Sequence, residues 1–202
     1  MPRAGLDAQT VLLAAAELAD QHGLEHLTLA MLAQKLGVRT PSLYNHVGGL
    51  PELRRRLTLH GMNRLREALT RAATGKAGDD AVRAMAEAYL AFARQHPGLY
   101  EATQRSLDRE DAEAAQAAAG VIEPVLRVLE AYGLEGDQAI HALRGFRSLL
   151  HGFASIERQG GFGIALDLDE SFRLLVDLFA RGMRSFGAAG SDFRHDGGQI
   201  SQ

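Results

Sequence analysis

Apolar residues recur every three or four positions along almost the whole chain, a spacing that predicts helices. Over 7–22, Val11, Ala14, Ala15, Leu18 and Ala19 form one stripe, with Asp7 placed as N-cap and Gly23 as stop. Leu29, Leu32, Ala33 and Leu36 share a face of a short helix that Thr28 caps. A third helix is predicted over 40–46, capped by Thr40, with Pro41 at its first position and Val47-Gly48-Gly49 breaking it. Leu53, Leu57, Gly61, Leu65 and Leu69 step by four through a long helix over 50–73. Asp79 or Asp80 caps the next, which ends before Pro97; a short turn or helix covers 98–105. Longer helices are predicted over 108–132, 136–159 and 169–186. No stretch alternates apolar and polar residues with β-branched content, so the fold class is all-α, without strands. Residues 187–202 are polar and glycine-rich and are expected to form a disordered tail.

Composition narrows the classes. The 202 residues are 46% hydrophobic, enough for a core, and contain no cysteine. That excludes a disulfide framework, a thiol nucleophile and cysteine-ligated zinc. No apolar run approaches the roughly 18 residues of a membrane span, and no secretory signal is visible, so a cytoplasmic protein with no membrane partner is expected. There is no Gly-rich phosphate loop, no paired carboxylates in a plausible cleft and no Ser/His/Asp arrangement, so neither an enzyme nor a cofactor is expected. His22 and His26 are split by Gly23 at a helix end, and no metal site is expected. The net charge of −3 is unevenly spread: residues 1–75 carry nine Lys/Arg against six Asp/Glu, and residues 76–202 carry thirteen against nineteen. A mildly basic front on an acidic body supports DNA binding through one end.

That front carries helix-turn-helix spacing. Ala33 is the small residue where two helices cross, and Gly37, four positions later, tolerates a left-handed turn. Leu32, Leu36, Val38 and Leu43 lock the flanks, and the second helix of such a unit lies in the major groove. Arg39, Thr40, Ser42 and Asn45 lie on its exposed start and face. Arginine pairs bidentately with guanine, and asparagine with adenine. Pro41 suits a thymine methyl; Tyr44, His46 and Thr28 suit phosphates. Tyr44 also suits a role covering the small core. Arg54-Arg55-Arg56 reads either as a solvated helix face or as a phosphate clamp.

The run Leu27-Thr28, Leu32-Ala33, Leu36-Gly37-Val38 and Leu43-Tyr44-Asn45-His46-Val47 resembles the TetR family of transcriptional regulators over residues 6–53. Leu150-His151-Gly152-Phe153 resembles a C-terminal subtype carrying Trp-His-Gly, with Leu150 in place of the tryptophan. Leu50 stands where family members often have a phosphate-binding lysine, so the amides of Gly48 and Gly49, or Arg54, would take over. The resemblance implies a helix-turn-helix DNA-binding domain over 1–49 and a ligand-binding and dimerisation domain over 50–186. It also implies a homodimer on palindromic double-stranded DNA and a small-molecule effector held among the middle helices. Tyr89, Phe92, His96, Tyr100, Phe146, Leu150 and His151 are the candidate effector contacts, each also readable as ordinary core. Gly145, Ser148, Gly152 and Ser155 recur on one side of their helix, opposite Leu143, Phe146, Leu150 and Phe153. The family's four-helix interface makes that small stripe, with Phe172, Val176 and Phe179, the candidate dimer contact. A close crossing within one chain is the other reading of the stripe. The function expected is a repressor released from its operator by a small molecule. The alternatives are an activator, a regulator loaded by its ligand, or a helical dimer controlling a protein partner.

Overall fold

The structure, a computed structural model, describes residues 6–105 and 110–192, with side chains through 186. Among the described residues there are nine helices and no strands: α1 (Ala8–His22), α2 (Leu29–Leu36), α3 (Thr40–Leu43), α4 (Leu50–Ala73), α5 (Gly78–Gln95), α6 (Pro97–Thr103), α7 (Ala112–Glu130), α8 (Gly136–Arg158) and α9 (Leu168–Asp192). The chain is all-α, as its apolar spacing requires.

The first helices begin and end where their caps dictate. Asp7 Oδ1 accepts from the Thr10 amide at 2.6 Å, and Thr28 Oγ1 accepts from the Met31 amide at 3.2 Å. Gly37 closes α2 in the left-handed region at φ 66°, where a Cβ would strain the backbone. Four boundaries differ from expectation. α3 stops at Leu43 rather than 46, and its cap position is Arg39, with no side-chain cap bond, rather than Thr40. A single turn cannot sustain itself, so residues 44–46 continue only as turns. Asp79 and Asp80 lie inside the first turn of α5 rather than before it, where carboxylates favour the helix dipole. α9 continues to Asp192, past the expected end at 186. The rest of the expected tail, 193–202, and the expected start of α7 at 108 lie outside the described residues.

Contacts divide the chain into two compact units: Met1–Leu65 with Phe92–Gly120, and Arg66–Ala91 with Val121–Gln202. The first unit therefore holds α1 to α3, the front of α4, and α6. Its core is aliphatic, with Leu24, Leu27, Leu32, Leu43, Leu53, Leu57 and Leu99 all fully buried. The second unit centres on aromatic contacts between α8 and α9: Phe146 stacks on Phe179 at 5.1 Å, and Phe153 meets Phe172 at 4.8 Å.

Candidate nucleic-acid interface and dimer face

Residues 39–46 present the chemistry that the sequence nominates. Arg39, Pro41, Asn45 and Tyr44 are exposed, while Thr40, Ser42 and His46 are half-buried. Leu43 and Val47 point inward at 0% and 3% exposure and pin the segment to the core. Tyr44 is 60% exposed, which removes the reading that it covers the small core. Thr28 is exposed; its oxygen is used as the cap of α2, and its hydroxyl proton remains to donate. Asp7 lies close enough to His46 for their charges to interact. Its carboxyl is held below the ordinary range first by the Thr10 amide, and only weakly by His46. A cation-poor, hydrogen-bonding surface around one arginine and one asparagine suits base edges better than a continuous phosphate track.

The three consecutive arginines of α4 are half-buried, and each is engaged by partners in its own chain. Arg54 turns to the α1–α2 turn, with one guanidinium nitrogen 3.3 Å from the Glu25 carbonyl and 3.8 Å from its carboxylate. Arg105 pairs with the same Glu25 carboxylate. Arg55 forks onto Asp111 at 2.6 and 2.9 Å and reaches Glu113 at 2.8 Å. The Asp111 carboxyl is lowered to about 2 by that guanidinium first and the Ala114 amide second. Arg56 bonds Glu52 and the His46 carbonyl.

α1 and α6 meet closely. Asp20 Oδ1 accepts from the amides of Gly98 and Leu99 at 2.9 and 3.0 Å, and Oδ2 faces His96 Nδ1 at 3.1 Å. A Cβ on Gly98 would sit 2.2 Å from the Ala19 carbonyl carbon and oxygen, so only glycine fits.

The effector candidates fall in both units. Tyr89, Phe146 and Leu150, exposed by 6% or less, belong to the second, as does half-buried His151. The His151 ring is pushed to a lower pKa by burial and then by Arg147 and Arg158. Phe92 and Tyr100 are buried in the first unit. His96 has both ring nitrogens engaged, one by Asp20 and the other 3.4 Å from Arg64, which makes it part of the α1–α6 junction. A groove of about 200 Å³ along α5 and α9, lined by Arg83, Glu87, Phe172, Arg173, Leu174 and Asp177 among others, contains none of these seven. Among the described residues no three His, Asp or Glu side chains are grouped to hold a metal ion.

The small stripe of α8 faces outward. Gly145 and Ser148 are exposed, Gly152 and Ser155 half-buried, and a Cβ on Gly152 would meet nothing within 4 Å. On α9 the expected contact face turns inward instead: Phe172 and Val176 are each 2% exposed, and Phe179 stacks on Phe146. The aromatic stripe of α9 is taken up by its own chain's α8, because rings gain most where they bury both faces. The outward stripe of α9 is Leu174 and Leu178, 58% and 66% exposed, with Phe186 further along. Their i, i+4 spacing is visible in the sequence, but the stronger aromatic stripe hides it.

The amino-terminal part, residues 11–48, matches the bacterial regulatory proteins of the tetR family, and residues 82–179 match the tetracyclin repressor-like C-terminal domain. The chain is 40% identical over 181 residues to the uncharacterized HTH-type transcriptional regulator Rv0681 of Mycobacterium tuberculosis, covering 89% of this chain and 83% of that one. It is 37% identical over 182 residues to YobS of Bacillus subtilis, an uncharacterized HTH-type transcriptional regulator, covering 90% and 95%. A 104-residue match at 38% identity, 51% of this chain and 37% of the relative, is to the HTH-type transcriptional repressor DrrR1 of Streptomyces coeruleorubidus. Among solved structures, a TetR variant from Acinetobacter baumannii in complex with minocycline superposes with TM-score 0.68 at 23% identity, over 90% and 98% of the two chains.

Proposed function

The chain belongs to the TetR family of transcriptional regulators, and from that premise we propose a homodimeric repressor that reads a palindromic operator and is released by a small molecule. The observation that carries the DNA reading is the exposed set Arg39, Pro41, Tyr44 and Asn45, pinned by buried Leu43 and Val47 behind a left-handed Gly37. Arg39 and Asn45 read bases, with Thr40, Ser42 and Pro41 beside them, while Thr28, Tyr44 and His46 set register on phosphates. The division into a DNA-binding segment 1–49 and an effector and dimer segment 50–186 is part of this reading. Replacing Asn45 or Arg39 by alanine lowers operator affinity by about 1–3 kcal/mol in fluorescence anisotropy, with the dimer intact. Unchanged binding by both variants rejects the recognition surface.

Pairing of two chains is supported by the outward stripes. One short reading helix covers too few base pairs, and two-fold symmetry doubles the site. Gly145, Ser148, Gly152 and Ser155 let a partner helix come close, and Leu174 and Leu178 supply exposed apolar area beside them. Leu178→Asp places a charge at that seam and yields monomers in light scattering; a mass still dimeric removes this face from the interface. The effector reading rests on α8, where Phe146 and Leu150 give apolar walls and half-buried His151 gives a polar group, together with Tyr89 of α5. The minocycline-bound TetR supports a small-molecule effector of this kind. A ligand shifts the DNA-bound population only by its difference in affinity between the two states.

A further inference from the structure

The segment Tyr44-Asn45-His46 has to hold a defined pose to read bases, yet its own hydrogen bonds cannot hold it. α3 is four residues long, and the turn after it rests on three backbone bonds, the Tyr44 amide to the Pro41 carbonyl at 3.3 Å and the His46 and Val47 amides to the Leu43 carbonyl at 2.9 and 3.0 Å. A single turn is not self-sustaining. Its upstream end is pinned by buried Leu43 and its downstream end by Val47. Between them the His46 carbonyl is held from α4: Arg56 Nη1 donates to it at 2.9 Å. The same guanidinium donates from Nε to Glu52 Oε1 at 2.8 Å, one turn earlier on α4. Glu52 thus fixes the plane of the guanidinium, and the fork aims a second donor at the end of the turn, where a cation is favoured.

We propose that Arg56, oriented by Glu52, is a positioning residue for DNA reading: it sets the pose of Tyr44-Asn45-His46 without touching DNA. The inference rests on the DNA reading above. The neighbouring arginines give the contrast. Arg54 and Arg55 are spent on Glu25 and on Asp111 with Glu113, so neither bonds residues 44–46. A role in fold stability alone would be shared by all three; a role in reading belongs to Arg56.

The test uses the full chain and a duplex enriched by the wild-type protein from a random-sequence pool. Arg56→Met lowers affinity for that duplex about tenfold, the cost of a lost charge-assisted bond, while binding to an unrelated duplex and the slope of log affinity against log salt stay as in wild type. Arg56→Lys recovers part of the loss, because an ammonium still reaches one carbonyl. Arg55→Met, used as the comparator, leaves the ratio of specific to non-specific binding unchanged. In the free protein the His46 carbonyl ¹³C resonance moves on Arg56→Met and not on Arg55→Met. Glu52→Gln, which keeps the side-chain length, gives the same changes at smaller size and serves if Arg56→Met does not fold. Equal losses on all duplexes with a shallower salt slope make Arg56 a phosphate contact and overturn the proposal, as does unchanged discrimination. If the pool yields no enriched duplex, the DNA reading itself fails and the proposal with it; a His46 resonance that still moves then marks Arg56 as a structural tie only.

Discussion

The two ends of this chain are held by different physics. Around residues 39–56 the ties are charge-assisted hydrogen bonds between short segments: Arg54 to Glu25, Arg55 to Asp111 and Glu113, Arg56 to Glu52 and the His46 carbonyl. Between α8 and α9 the ties are rings, with Phe146 on Phe179 and Phe153 against Phe162 and Phe172, while ion pairs of Arg83 with Asp177 and of Arg184 with Asp79 join α9 to α5. Polar ties are directional and sensitive to acid and salt. Aromatic ties depend on volume and are indifferent to both. A DNA-reading end benefits from direction, because an ångström of misplacement costs a base contact. A seam of packed rings benefits from shape.

The largest separation of the two ends comes from removing a ring. Phe153 is 5% exposed and touches two other phenylalanines, so Phe153→Ala costs about 3–5 kcal/mol of stability by deleting buried area and leaving a cavity. Chemical denaturation reads it directly, and the loss is the same at low and high salt. A loss that shrinks sharply with salt shows that the seam is not held by packing.

Legibility in the sequence divides along the same line. Gly23, Thr28 and Gly37 act within a few residues of where they stand, so α1 and α2 are readable. The exposed set at 39–46 is readable for the same reason. The pattern overestimates α3, because it shows apolar spacing but not that a single turn leaves the helix nothing to propagate. The Glu25, Asp111 and His46 partners of Arg54, Arg55 and Arg56 lie 29, 56 and 10 residues away, and no local pattern records them; only the Glu52–Arg56 pair has the i, i+4 spacing of one helix face. The pattern alone cannot tell that Phe172 and Val176 point inward, because α9 carries two apolar stripes. Only the packing of α8 decides which one is buried. The bond between His96 and Asp20 is equally invisible in the sequence, because the two lie 76 positions apart.

A smaller effect tests the polar end by volume. Gly98→Ala adds one methyl where Ala19 backbone atoms lie 2.2 Å away, forcing α6 off α1 and straining the bonds from Asp20. Overpacking of this kind costs about 1–3 kcal/mol, or several degrees of Tm in a chain this size. Gly152→Ala, with nothing within 4 Å of its Cβ, is the control: it meets no clash and raises the stability of the chain by about 0.5–1 kcal/mol through helix propensity. Equal Tm for Gly98→Ala and wild type shows that α1 and α6 do not pack this closely in solution.

The smallest effect is the most specific to the polar end. Asp111 has its carboxyl lowered from the ordinary 3.8 to about 2 by Arg55 and the Ala114 amide. The folded state holds this proton more weakly than the unfolded chain does. The contribution is therefore fully present above about pH 4 and is lost as pH falls towards 2. Both side chains are solvent-accessible, so the effect is modest and screened by salt. Asp111→Asn flattens the acid limb of stability against pH in that window and leaves the neutral plateau only slightly lower. The difference between variant and wild type fades at high ionic strength. If the acid limb is unchanged, the Arg55–Asp111 fork does not persist in solution, and it does not tie the front of α4 to the residues before α7.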